Sequence, residues 1–141
     1  MKISVYALPD NIQEKELKER IAVIIDVLRA ASTIITALYN GCKEIVPTAE
    51  IEEAIMLAKN YERETFLLGG ERNAQKIDGF DLSNSPYEYT REVVKGQTII
   101  MTTTNGTQAI RKVSDAKEVI VAGFLNAGAV SRYIQSCGDD V

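Results

Sequence analysis

The run Ile21-Ala22-Val23-Ile24-Ile25 is five apolar residues in a row, four of them β-branched, and it ends on Asp26. Such a stretch is apolar toward both sides of a pleat, so it suits a central parallel strand covered on each face rather than a half-solvated ribbon. Asp26 to Thr33 is a polar turn, after which Ile34, Ile35, Ala37 and Leu38 fall at helical spacing and Asn40-Gly41 closes the segment. The same order of strand, polar turn and helix recurs. Glu44–Pro47 precedes a helix with Thr48 as its cap and Ile51, Ala54, Ile55, Ala58 and Tyr61 on one face. Thr65–Leu68 runs into Gly69-Gly70-Glu71-Arg72. Thr98–Met101 runs into Thr102-Thr103-Thr104-Asn105-Gly106-Thr107 and a helix to about Val113, and Glu118–Ala122 into Gly123–Asn126 and a last helix. Ile3–Leu8 is expected to add a strand. Ser85-Pro86-Tyr87-Glu88 has the form of a capping box with proline at the first helical position, opening a helix to about Gly96. The alternation predicts one α/β domain over residues 1–141, a mainly parallel sheet flanked by helices in three layers. Cys137–Val141 reads as the approach to a further strand, so we expect a truncated chain, the amino-terminal portion of a longer protein.

Histidine is absent, which removes Ser-His-Asp relays, phosphohistidine and imidazole-rich zinc sites from consideration. Proton transfer falls to carboxylates or to metal-bound water. A formal net charge of -4 without any basic block argues against nucleic acid and membrane surfaces as partners. Cys42 and Cys137 are too few and too distant for a disulfide framework. With no leader-like or membrane-spanning stretch in view, a cytoplasmic protein is expected.

In a parallel sheet the carboxyl ends of the strands share one edge, where ligands collect. Four such ends carry polar groups here: Asp26 with Arg29, Glu71 with Arg72, Thr102 to Asn105, and Asn126. Asp26 and Glu71 are hard oxygen donors suited to Mg²⁺, and Arg29 and Arg72 offer forked donors to an anion. The same pairs could be structural ion pairs, Asp78 and Asp81 could only shape turns, and the threonines could only cap a helix. The glycine-lysine phosphate loop, the dinucleotide glycine motif, the cysteine-arginine phosphatase spacing and the paired-aspartate signature are all missing. Residues alone give an α/β domain with an oxyanion site and a candidate Mg²⁺.

Five blocks in order, Ile25-Asp26-Val27-Leu28-Arg29-Ala30, Leu68-Gly69-Gly70-Glu71-Arg72, Gly79-Phe80-Asp81-Leu82-Ser83-Asn84-Ser85-Pro86, Thr102–Thr107 and Phe124-Leu125-Asn126, together resemble the 2-phosphosulfolactate phosphatase family. The resemblance implies a Mg²⁺-dependent phosphatase that converts 2-phosphosulfolactate to 3-sulfolactate and phosphate, a step toward coenzyme M. It implies a small substrate bearing phosphate, sulfonate and carboxylate. Asp26 and Glu71 would hold Mg²⁺, or Asp26 would attack as nucleophile. Arg29 and Arg72 would neutralise charge, and Thr103, Thr104, Asn105, Gly106, Asn84 and Asn126 would contact substrate. Members of that family are longer, so a non-catalytic anion-binding module remains the alternative, as does a fragment that needs a partner chain. A second copy of the chain is a further candidate partner.

Overall fold

The computed structural model describes residues 1–12 and 17–141. The charged segment 13–20, whose single apolar residue Leu17 suits a solvated helical turn or connector, lies partly outside them. In order, the chain forms β1 (Ile21–Ile25), α1 (Ala30–Tyr39), β2 (Glu44–Thr48), α2 (Ile51–Ala58), β3 (Phe66–Arg72) and β4 (Gln75–Lys76), then α3 (Arg91–Val94), β5 (Thr98–Thr102), α4 (Gly106–Lys112), β6 (Glu118–Ala122) and α5 (Ala127–Cys137). Short 3₁₀ turns occupy Pro9–Asn11, Arg63–Thr65 and Pro86–Glu88. No helix among the described residues is long and apolar enough to cross a membrane.

The strands form two sheets. One runs β2-β5-β3-β4, parallel except for the β3–β4 hairpin, and the other is the parallel pair β1-β6. In the larger sheet the carboxyl ends are level, with Thr48 and Gly70 both opposite Thr102. All five residues of β5 are buried. Because side chains alternate along a strand, Ile99 and Met101 join a cluster with Ile34 and Ala37 of α1 while Ile100 joins Ala54 of α2 and Phe66 on the opposite face. This is the helix-sheet-helix layering expected of the α/β class. Gly70 is required where β3 passes β5: its φ is +135°, and a Cβ there would lie 1.8 Å from the Thr102 carbonyl oxygen.

Several local expectations give way. The doubly covered central strand is β5 rather than Ile21–Ile25, since among the described residues β1 pairs only with β6 and Ile25 is 70% exposed. Ile3–Leu8 is not a strand; it is held by backbone hydrogen bonds between Ser4, Lys2 and Val141. Strand β3 continues through Glu71 and Arg72, four residues past the Thr65–Leu68 run expected from the sequence. The Ser85 capping box does not form. Glu88 instead accepts the backbone N–H and hydroxyl of Ser83, and the helix is split into the Pro86–Glu88 turn and α3. Thr48 does not cap α2, because its hydroxyl donates to the Met101 carbonyl at 3.3 Å. Glu53 takes over that end by accepting the Ala49 N–H at 2.9 Å.

Candidate active site

The two sheets are joined through α1 and α4, each of which packs against strands of both. Close approach of those helices depends on Gly106 at the first position of α4: a Cβ there would lie 2.3 Å from the Ala30 Cβ and 2.9 Å from Asp26 Oδ2. Beside this contact opens a cavity of about 210 Å³ lined by Asp26, Leu28, Arg29, Glu71, Asn73, Ala74, Asn84, Thr103, Thr104, Asn105 and Gly106. Four separated stretches of sequence therefore meet there: the turn after β1, the β3–β4 hairpin, the loop leading to Asn84 and the turn after β5. A wider cleft shares Asp26, Leu28, Asn105 and Gly106 and continues past Glu50 toward Arg111 and Lys112.

The two carboxylates differ in what they have left to offer. Glu71 is buried and accepts the Thr104 N–H at 2.6 Å, the Ala74 N–H at 2.8 Å and the Thr104 hydroxyl at 2.9 Å. Burial by itself would push its carboxyl up, but those bonds and the nearby Arg72 charge outweigh it and leave the group below its ordinary range. A carboxylate has about four lone-pair positions, so Glu71 keeps about one. Asp26 is half-buried. Its carboxyl is pushed up by burial, pulled back by the Ala30 backbone N–H, and pushed up again by the negative field of Glu71. With that one bond Asp26 keeps about three lone-pair positions.

Neither pairing of acid with neighbouring arginine forms. Arg29 is exposed at the cavity and its guanidinium makes no hydrogen bond or ion pair among the described residues. Arg72 follows Glu71 in a strand and so points to the other face. There it donates to the Ala49 carbonyl at 2.5 Å and to the Thr102 hydroxyl at 3.0 Å, and lies 3.7 Å from Glu50. Asn126 is also outside the cavity: it accepts the Gly123 N–H and donates to the Val121 carbonyl, both at 2.9 Å, which braces the turn into α5. Asp81 accepts the Leu68 N–H at 2.8 Å and pairs with Arg63.

The threonine turn is occupied with its own structure. Thr103 and Thr107 cap each other, Thr103 N–H to the Thr107 hydroxyl at 2.8 Å and Thr107 N–H to the Thr103 hydroxyl at 3.0 Å. The Thr104 hydroxyl bridges Glu71 and the Asn73 N–H. What the turn leaves to a ligand is the backbone N–H of Asn105 and of Gly106, which have no partner among the described residues. Asn73 and Ala74, which sequence reasoning did not single out, reach the cavity as the two-residue tip of the β3–β4 hairpin, both with positive φ. Asn73 is a turn former that could have been noticed; alanine in this conformation leaves no signal.

A family model described as 2-phosphosulpholactate phosphatase matches residues 6–141. A protein of Caldanaerobacter subterraneus subsp. tengcongensis named probable 2-phosphosulfolactate phosphatase is 57% identical over 140 residues, 99% of this chain and 58% of that protein. The chain belongs to the 2-phosphosulfolactate phosphatase family. Proteins of the same name from Clostridium tetani and Clostridium perfringens are 50% and 54% identical, over 100% and 96% of this chain and 60% and 56% of their own lengths. This family member thus spans about three-fifths of the length of these curated relatives.

The donor set can be tested against the Mg²⁺ that the family resemblance implies. Among the described residues no group of three or more His, Cys, Asp and Glu side chains is placed to enclose a metal. Mg²⁺ does not ask for one, since it takes one or two protein carboxylates and keeps water and substrate oxygens. Asp26, with three free lone-pair positions, and Glu71, with one, fit that demand.

Proposed function

We propose that the cavity is the site of a Mg²⁺-dependent phosphatase that hydrolyses 2-phosphosulfolactate to 3-sulfolactate and phosphate, the coenzyme M type of reaction. The observation that carries this reading is the convergence of Asp26, Glu71 and the unpaired Arg29 on one small cavity in a chain of this family. Asp26 and Glu71 would hold Mg²⁺, which supplies charge neutralisation at the phosphoryl oxygens when bound. Arg29, which has no hydrogen bond or ion pair among the described residues, would grip phosphate or sulfonate with its forked donors. The N–H groups of Asn105 and Gly106 would receive a further anionic oxygen. Arg72 and Asn126 support the site from outside, one by fixing the β2–α2 turn and the other by fixing the start of α5.

With no histidine available, Asp26 is the group with spare lone pairs beside the reacting phosphoryl. It can take a proton from the attacking water and pass it to the sulfolactate oxygen as the ester P–O bond breaks. Or it can attack phosphorus itself, the ester P–O bond breaking as the sulfolactate oxygen leaves and takes a proton from solvent, after which water hydrolyses the aspartyl phosphate to phosphate and restores the carboxylate. Phosphate release from 2-phosphosulfolactate should depend on Mg²⁺ and stop with a chelator. Substrate that binds without any phosphate release would favour a non-catalytic anion-binding module instead.

A further inference from the structure

Two buried side-chain oxygens among the described residues have no hydrogen-bond partner: Gln97 Oε1 and Asn84 Oδ1. Gln97 precedes β5, at the end of the sheet away from the carboxylates. Asn84 is 5% exposed and lines the cavity together with Asp26 and Glu71. An unmet buried acceptor costs about 1–3 kcal/mol, so one that lies in a binding cavity asks for a partner.

The position of Asn84 is closely fixed. Its backbone carbonyl accepts the Thr33 hydroxyl of α1 at 3.2 Å. Ser83 before it is clamped by Glu88, and Leu82 bonds to β3 through Leu68 and Gly70. The backbone that carries the amide is thus held by both the larger sheet and α1. Its oxygen can be satisfied only by a hydrogen donor or a cation. The substrate proposed above offers ionised phosphate, sulfonate and carboxylate, all of them acceptors, and an acceptor set against an acceptor is repulsive. Resting on that functional reading, we infer that Asn84 Oδ1 is a neutral third oxygen donor to the divalent cation, beside Asp26 and Glu71, and not a substrate contact. A neutral donor completes the site without adding a third negative charge to repel a multiply anionic substrate.

The test is Mn²⁺ binding in the absence of substrate, read as loss of the free-ion electron paramagnetic resonance signal and reversed by Mg²⁺. Wild type should bind one Mn²⁺. Asn84→Ala should bind at least about tenfold more weakly, the loss seen even for groups one shell further from a metal. Asn84→Asp, which keeps an oxygen in place, should restore binding, and thermal unfolding of each variant shows that it is folded. Mn²⁺ affinity unchanged in Asn84→Ala, or folded Asn84→Asp failing to restore it, would overturn the assignment while leaving the cation site intact. Absence of Mn²⁺ binding in wild type would overturn the metal reading itself, and this assignment with it.

Discussion

The two sheets contrast sharply in how they are covered. Every residue of β5 is buried, with Ile99, Ile100 and Met101 completely so, whereas β1 is only partly covered and Ile25 stands 70% exposed at its carboxyl end. Around β1 and β6 the exposed apolar surface continues through Leu28, Phe124 and Leu125. An apolar groove of about 440 Å³ lies between these strands and α5. The candidate site lies across this divide. Glu71, Asn84 and the threonine turn stand on the well-packed half, and Asp26 and Arg29 on the sparsely covered one. The difference teaches that Glu71, Asn84 and the threonine turn are held by the well-packed sheet, while Asp26, the carboxylate proposed to react, sits on the half with less packing behind it.

Substitutions on the two halves should therefore differ most in stability. Gly70→Ala places a methyl against the Thr102 carbonyl at a φ that alanine rarely adopts, and should cost more than about 4 kcal/mol in denaturant unfolding. Glu71→Gln should cost about 2 kcal/mol at neutral pH, since it leaves donors of Thr104 and Ala74 short of an acceptor. The sign with pH follows from the lowered carboxyl of Glu71: its stabilisation is present above the unfolded-state value and lost as pH falls through the folded one. The gap between wild type and Glu71→Gln should thus close on acidification, and a gap that widened would contradict the role given to Glu71. At the small end, Ile25→Ser should change stability by no more than about 0.5 kcal/mol. A loss as large as that of Gly70→Ala would show that β1 is as tightly packed as β5.

How much of this was legible in the sequence follows the range of the interactions. The α/β alternation could be read because apolar period and glycine position are local signals, and five of the main strands and helices fall within a residue or two of their expected limits: β1, β2, β5, α4 and β6, whereas α1 starts at Ala30, inside the expected polar turn and four residues before Ile34. The β-branched run of β1 did not reveal that it pairs with β6 at the edge of the packed core, because strand pairing is set by residues far away in sequence. The local pattern ends the strand at Leu68, before Gly69-Gly70-Glu71-Arg72. Yet Gly70 is needed for close strand passage, and the strand's alternation sends Glu71 into the cavity and Arg72 away from it. The capping box at Ser85 matched its pattern and lost to the stronger demand of Ser83 for Glu88. Asn84 was legible as a motif residue, but its unpartnered oxygen belongs to tertiary structure alone.

The most direct test of the site is Asp26→Asn, followed by phosphate release from 2-phosphosulfolactate and by thermal unfolding on the same preparation. Burial and the field of Glu71 raise the Asp26 carboxyl. Its charge therefore weakens the fold as pH rises through the folded-state value, and removing it should leave the neutral-pH unfolding midpoint equal or higher. Phosphate release should fall at least about 100-fold. Turnover that survives the substitution, or that is lost only together with the fold, would contradict the assignment of Asp26 to the chemistry.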